Sequence, residues 1–186
     1  MNPETIINII NSGGMMKSAE IQQQDIVYDR SFRTICEQNQ CGEYGRCWVC
    51  PPDVGTLDEL MNRAKSYPRG ILYQCFYPLE DSYDVEGMDA GKRAFVKCSL
   101  EITKALNAMK SSGQIKAGDY MQLAVGACGI CEKCARRDNQ PCRFPELAIP
   151  SLESAGIFVA QTAQNAGMNY INGENTVTYF GMVLFR

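Results

Sequence analysis

Cys128-Gly-Ile-Cys131-Glu-Lys-Cys134 sets three thiols two residues apart, and Pro141-Cys142-Arg143 adds a fourth after a short basic loop. Thiols at that spacing cannot spread along a regular element. They must sit on a tight loop that turns the sulfurs toward one point. Short Cys-x-x-Cys steps reach neighbouring iron corners of a cubane cluster, and the bacterial ferredoxin run opens with this same three-cysteine pattern. Seven residues separate Cys134 from Cys142, so the match to that run is partial. Structural zinc also takes four cysteines, but usually as two separated Cys-x-x-Cys pairs. Three thiols in one run therefore favour an iron–sulfur cluster of the 4Fe–4S kind, with zinc as the alternative.

A second group precedes it: Cys36, Cys41, Cys47 and Cys50, the last followed by Pro51-Pro52. Cys47-Trp-Val-Cys50 is itself a Cys-x-x-Cys pair. A thioredoxin-like pair should open a helix after a strand, and two prolines directly behind Cys50 argue against that helix. A Cys-Pro ending is compatible with a second cluster. The candidate metal ligands are thus Cys36, Cys41, Cys47, Cys50, Cys128, Cys131, Cys134 and Cys142, with one or two clusters between them. Trp48 and Tyr44 are expected to pack the loop.

The remaining composition narrows the chemistry. There is no histidine among 186 residues, which excludes Cys/His zinc sites, Rieske centres, His-dependent triads and proximal-His haem. Ten cysteines in a chain whose Met1-Asn-Pro-Glu4 start lacks a basic region point to a reducing, cytoplasmic setting rather than a disulfide framework. A net charge of −3 gives no nucleic-acid footprint. No apolar run approaches a membrane span.

These loops need elements to position them. The length favours one domain over residues 1–186. Asn2-Pro3-Glu4 starts a helix that ends at Gly13-Gly14. Residues 21–28 are weakly strand-like, and a short helix from Ser31 carries Arg33 toward Cys36. Thr56–Tyr67 is helical, with Leu57, Leu60, Met61 and Ala64 on one face. Ile71–Tyr77 is a strand that includes Cys75. Residues 78–87 form an acidic, solvated loop.

Asp89–Lys110 is the clearest helix, with Phe95, Cys98, Ile102, Ala105 and Met109 recurring on its apolar face. Cys75 and Cys98 are core residues by this pattern. Asp119–Val125 is the next strand, so the Cys128 loop leaves a strand end on a βαβ-like unit. Ser151 caps a short element with Glu153 in its first turn, and a helix covers Phe158 to Ala166. Strand, turn and strand follow over 168–171, 172–175 and 176–185, the last apolar on both faces as a central strand. The fold class is α+β: a mixed β-sheet flanked by helices, with the cysteines on loops.

Phe32-Arg33-x-x-Cys36, Cys41-x-x-Tyr44-Gly45, Trp48-x-Cys50-Pro51-Pro52, Cys128-x-x-Cys131-x-x-Cys134…Pro141-Cys142-Arg143 and Pro150-Ser-Leu-Glu153-x-x-Gly156 form a combined pattern. It resembles a widespread family of cysteine-rich bacterial and archaeal proteins described as predicted metal-binding proteins of unknown function. The resemblance runs from about residue 30 to the end. It implies metal binding through Cys41, Cys50, Cys128, Cys131, Cys134 and Cys142, with Cys36 included. Cys47 falls where that pattern varies.

Three functions fit these observations. The first is an iron–sulfur electron carrier, in which Lys133, Arg136, Arg137 and Arg143 favour the reduced cluster and dock an acidic redox partner, or else form an ordinary solvated basic loop. The second is a cluster-dependent enzyme: three thiolates in the N-terminal group would leave one iron open as a Lewis acid. Arg33, Tyr44 and Glu153, singled out by the family pattern, would then assist. The third is a structural zinc module for binding a partner.

Overall fold

The computed structural model describes residues 1–186. Its centre is a four-stranded sheet in the order β1-β2-β4-β3, formed by β1 (Lys17–Gln22), β2 (Arg69–Pro78), β3 (Tyr120–Leu123) and β4 (Thr176–Phe185). The helices are α1 (Pro3–Ser12), α2 (Ser31–Glu37), α3 (Leu57–Lys65), α4 (Val85–Ser111) and α5 (Val159–Asn165). The class is α+β, as the sequence predicts. The ladders are all antiparallel rather than mixed, and the one parallel pairing is an isolated bridge from Ala124 to Ser151.

β4 pairs antiparallel with β2 on one side and β3 on the other. β2 and β3 therefore run the same way, joined by α4, with β4 inserted between them. The βαβ-like unit is real but split by the last strand, a form known from ferredoxin-like folds.

The period of two along β2 and β4 divides the core between the sheet's faces. Ile71, Tyr73, Val183 and Phe185 meet Ile6 and Ile10 of α1 and Phe95, Ile102 and Leu106 of α4. Leu72, Met182 and Leu184 meet Leu60 and Ala64 of α3 and Val159 and Ala163 of α5. Leu57, Leu60, Met61 and Ala64 are the buried face of α3, as their spacing requires. A full capping box at Thr56 and Glu59 fixes where that helix begins.

Two expectations fail for physical reasons. The strand expected over 21–28 lies earlier, at Lys17–Gln22, and Gln23–Asp25 is a 3-10 turn. Ala19 and Ile21 already alternate with Ser18, Glu20 and Gln22, so the period of two starts before the glutamine run. Residues 168–171 form no strand. The Asn172 side chain donates to the Asn169 carbonyl and to Thr178 Oγ1, both at 3.1 Å, local bonds that compete with a ladder. Tyr170 instead stacks on Phe180, with ring centroids 5.7 Å apart.

Gly181 shows how tightly the sheet meets α4. A Cβ there would lie 2.4 Å from the Tyr73 ring, which is fully buried and stacks on Phe95 at 6.0 Å. The ring has nowhere to move without breaking that stack. Gly181→Ala is expected to cost about 3 kcal/mol, the upper end for overpacking, and to lower the thermal midpoint by roughly 6–12 °C for a chain of this size. A thermal melt followed by circular dichroism checks it; an unchanged midpoint would contradict the Tyr73 placement.

Candidate metal centre

The N-terminal cysteine loop begins where α2 ends. Asn39 takes a left-handed conformation (φ 53°), and its side chain accepts from the Tyr44 N–H at 3.0 Å. Short asparagine side chains tolerate that region by bonding their own backbone. Gly45 N–H donates to the Pro51 carbonyl at 2.8 Å and Cys50 N–H to the Cys47 carbonyl at 2.9 Å. No helix opens behind Cys50, since residues 50–54 are turns and α3 starts only at Leu57.

The C-terminal loop leaves the end of β3, as its sequence position implies. Gly126 (φ 53°) and Gly129 (φ 69°) give the reversals that a loop this tight needs. Arg143 donates to the Lys133 carbonyl at 2.9 Å, drawing the Cys142 segment back onto the three-cysteine run. Pro150 and Leu152 then bond Ala124, at 2.9 and 3.1 Å. Asp29 N–H donates to Gly156 O at 2.7 Å and Phe158 N–H to Val27 O at 2.8 Å. One segment thus anchors both loops, joining the end of β3 to the approach to α2.

The loops are also clamped to each other. Arg136 pairs with Asp53 at 2.7 Å and lies over the Trp48 ring at 5.4 Å. Trp48 Nε1 donates to the Gln140 carbonyl at 3.0 Å, and Arg137 pairs with Glu43 at 2.5 Å. Lys133 pairs with Asp138 at 2.6 Å. Three of the four basic residues read from sequence are therefore engaged by carboxylates within the chain; Arg143 is the exception. Trp48 does pack the loop, across both halves of the site.

Cys47, Cys128, Cys131, Cys134 and Cys142 line one cavity of about 370 Å³. Cys36, Cys41 and Cys50 lie outside it. They continue from it as neighbours: the free Cys50 thiol hydrogen-bonds Cys47, Cys41 is felt by both Cys50 and Cys36, and Arg33 and Glu153 flank Cys36. No three cysteine, aspartate or glutamate side chains close on a single point as ligands of one ion would. Cys75 is buried against Met15, Sγ to Sδ 3.4 Å, and Cys98 is half-buried on α4 in the same core cluster. Neither lines the thiol cavity.

Local electrostatics differ among the thiols. The Cys50 thiol donates to Cys47, and burial is opposed there by N–H donors from Cys128 and Val49. Together these lower Cys47 to about 6 and raise Cys50. Cys128 is pushed up to about 11, first by burial and then by Cys47, Cys142 and Cys131 around it. Burial also raises Cys36, with Arg33 opposing, and raises Glu153 against bonds from its own amide and Ser151. Arg33 donates to Gly55 O at 3.1 Å and Ser154 O at 3.3 Å, while its buried Nε has no partner.

The Cys128 shift has a consequence for metal-free protein. Its folded pKa lies above the ordinary value of 9.0. Its contribution to stability is complete below about 9 and is lost as pH rises toward about 11. Metal-free protein is expected to melt progressively lower across that window. Protein whose Cys128 is bound to metal has no such proton to lose and should show a flatter profile. Parallel melts of the two forms check this.

The family model described as predicted metal-binding protein (DUF2284) matches residues 19–185. The chain belongs to this family. No curated protein and no solved structure matches it. For a DUF2284 member, the matched span covers both cysteine loops and every strand but the start of β1. Sequence reasoning missed Glu43, Asp53 and Gln140 as loop clamps. Nothing local marks them, because their partners lie 94, 83 and 92 residues away.

Proposed function

We propose that this metal-binding protein carries an iron–sulfur cluster on Cys128, Cys131, Cys134 and Cys142 and serves in electron transfer. The observation that carries the reading is the shared cavity: four thiols of the predicted set surround a volume, with Cys47 beside them. Mononuclear zinc holds its sulfurs at about 2.3 Å from one centre, whereas a cluster of several irons needs room between them. The donor set is also all thiolate, the ligand type for such clusters. When bound, the cluster would supply one-electron chemistry.

The chain's own residues would set the conditions for it. Lys92 and Arg143 line the cavity without carboxylate partners, among Glu43, Asp89 and Glu132, and are the cations left to offset the cluster's negative charge. The Arg136–Asp53 and Arg137–Glu43 pairs keep both loops closed, so the thiols start near their working positions. Cys36, Cys41 and Cys50 form the second ligand group in this reading. A cluster-dependent enzyme is the second reading, favoured by the unpartnered Arg33 Nε beside Cys36.

Protein purified without oxygen is expected to be brown and to bleach with dithionite. Trp48 is the only tryptophan and lines the cavity, so its emission should be strongly quenched in the loaded protein and return when the cluster is removed. A colourless preparation whose Trp48 emission does not respond to metal removal would contradict the proposal.

A further inference from the structure

A second cavity, of about 430 Å³, adjoins the thiol cavity. Trp48, Val49 and Ala148 line both and form the wall between them. This volume falls within the range of small-molecule sites, about 300–1,000 Å³. It lies at the free edge of β3, between Leu60 and Arg63 of α3 on one side and Asn107 and Lys110 of α4 on the other.

Most of its polar groups are already paired. Lys110 holds Glu146 at 2.8 Å. Asn107 donates to the Glu146 carbonyl at 2.8 Å and accepts from Tyr120 Oη at 3.3 Å. Asp53 holds Arg136. Two kinds of group are left over. Arg63 lines the cavity and has no carboxylate partner.

The other is backbone. β3 is an edge strand, so alternate residues turn both N–H and C=O away from β4. Ala124 does so, bonding Pro150 and Leu152, and the Tyr120 carbonyl does so, accepting from Tyr67 Oη at 3.0 Å. Gln122 lies between them and must turn its N–H and C=O the same way. No bond from the covering segments reaches either group. An edge N–H and C=O facing a cavity need a partner from water or ligand.

We infer that this cavity binds a small carboxylate ligand bearing an amide, with its carboxylate on Arg63, its amide on the Gln122 backbone and its apolar part against Trp48. The guanidinium fork matches a carboxylate in two parallel bonds, and the Gln122 N–H is a donor for the ligand's amide carbonyl. The ligand's apolar end would then sit one side chain away from the thiols. The meaning of that proximity rests on the proposed function; the binding itself does not.

Benzoylglycine (hippurate) carries all three features and serves as the probe. Equilibrium dialysis against anaerobically prepared full-length protein is expected to show saturable one-site binding in the millimolar range or tighter. Arg63→Gln, at an exposed position, should weaken it at least about tenfold, the usual scale for a charged hydrogen bond. Benzamide, which lacks the carboxylate, should bind weaker by a similar factor. Lys104→Gln, an exposed change on α4 that lines neither cavity, should bind hippurate like the parent. Absence of saturable binding, or equal binding by Arg63→Gln with the parent's melting profile, overturns the inference. Iron and sulfide counted in the same samples keep the two questions apart: hippurate binding by a protein holding only zinc would sustain this site and refute the cluster.

Discussion

Cys131→Ala is expected to lose its metal or become insoluble, whereas Cys75→Ala and Cys98→Ala keep a full complement. Cys131 is the middle thiol of the three-cysteine run and lines the shared cavity. Removing it takes a thiolate from the proposed cluster and, with it, much of the folding energy that metal supplies. Cys75 and Cys98 belong to the α1/α4 side of the core, where a cysteine behaves as a small hydrophobe. Truncating either should leave a small cavity and cost about 1 kcal/mol. The comparison is metal per chain in the three variants purified side by side without oxygen. Equal loss in all three would mean that the division of the ten cysteines into ligand and core is wrong.

Arg136→Gln should damage the site itself more than any other change outside the thiols. The Arg136 and Asp53 side chains are only 24% and 15% exposed, so the pair is far from an ordinary surface bridge. Removing one partner leaves Asp53 half-buried and unpaired and releases the cation over Trp48. A loss of about 3 kcal/mol is expected, the low end for breaking a buried pair, together with faster metal release to a chelator because the loops are no longer clamped. Adding Asp53→Asn to Arg136→Gln should recover part of the stability, since no lone charge remains. Additive losses in the two variants, measured by denaturant unfolding, would contradict the pairing.

What the sequence makes legible here is local. α1 and α3 are marked by their caps, α4 by its apolar recurrence, and the C-terminal loop by its cysteine spacing. Cys75 and Cys98 separate from the ligand candidates by the same reasoning, through alternation and helical period. Pairing order is different, because it depends on contacts between distant segments. Its two apolar faces mark Thr176–Phe185 as a central strand, but nothing near it names β2 and β3 as the neighbours it slides between.

The site has the same limit. Glu43 and Asp53 carry no signal of their own until the fold brings Arg137 and Arg136 to them. Lys133, Arg136, Arg137 and Arg143 read equally as a docking patch or a solvated basic loop, because the carboxylate partners of the first three are unremarkable in sequence. Cys47 is the instructive case. The family pattern leaves it aside, yet it accepts the Cys128 N–H and lines the cavity with the C-terminal thiols. Backbone donors and burial, rather than spacing, give it that place.

Metal analysis of protein never exposed to air decides whether the thiol cavity holds an iron–sulfur cluster. Iron and acid-labile sulfide are expected in about equal amounts, as a 4Fe–4S cluster requires, both falling together in Cys131→Ala. Stoichiometric zinc with neither iron nor sulfide would contradict it and leave a four-thiolate structural site in its place.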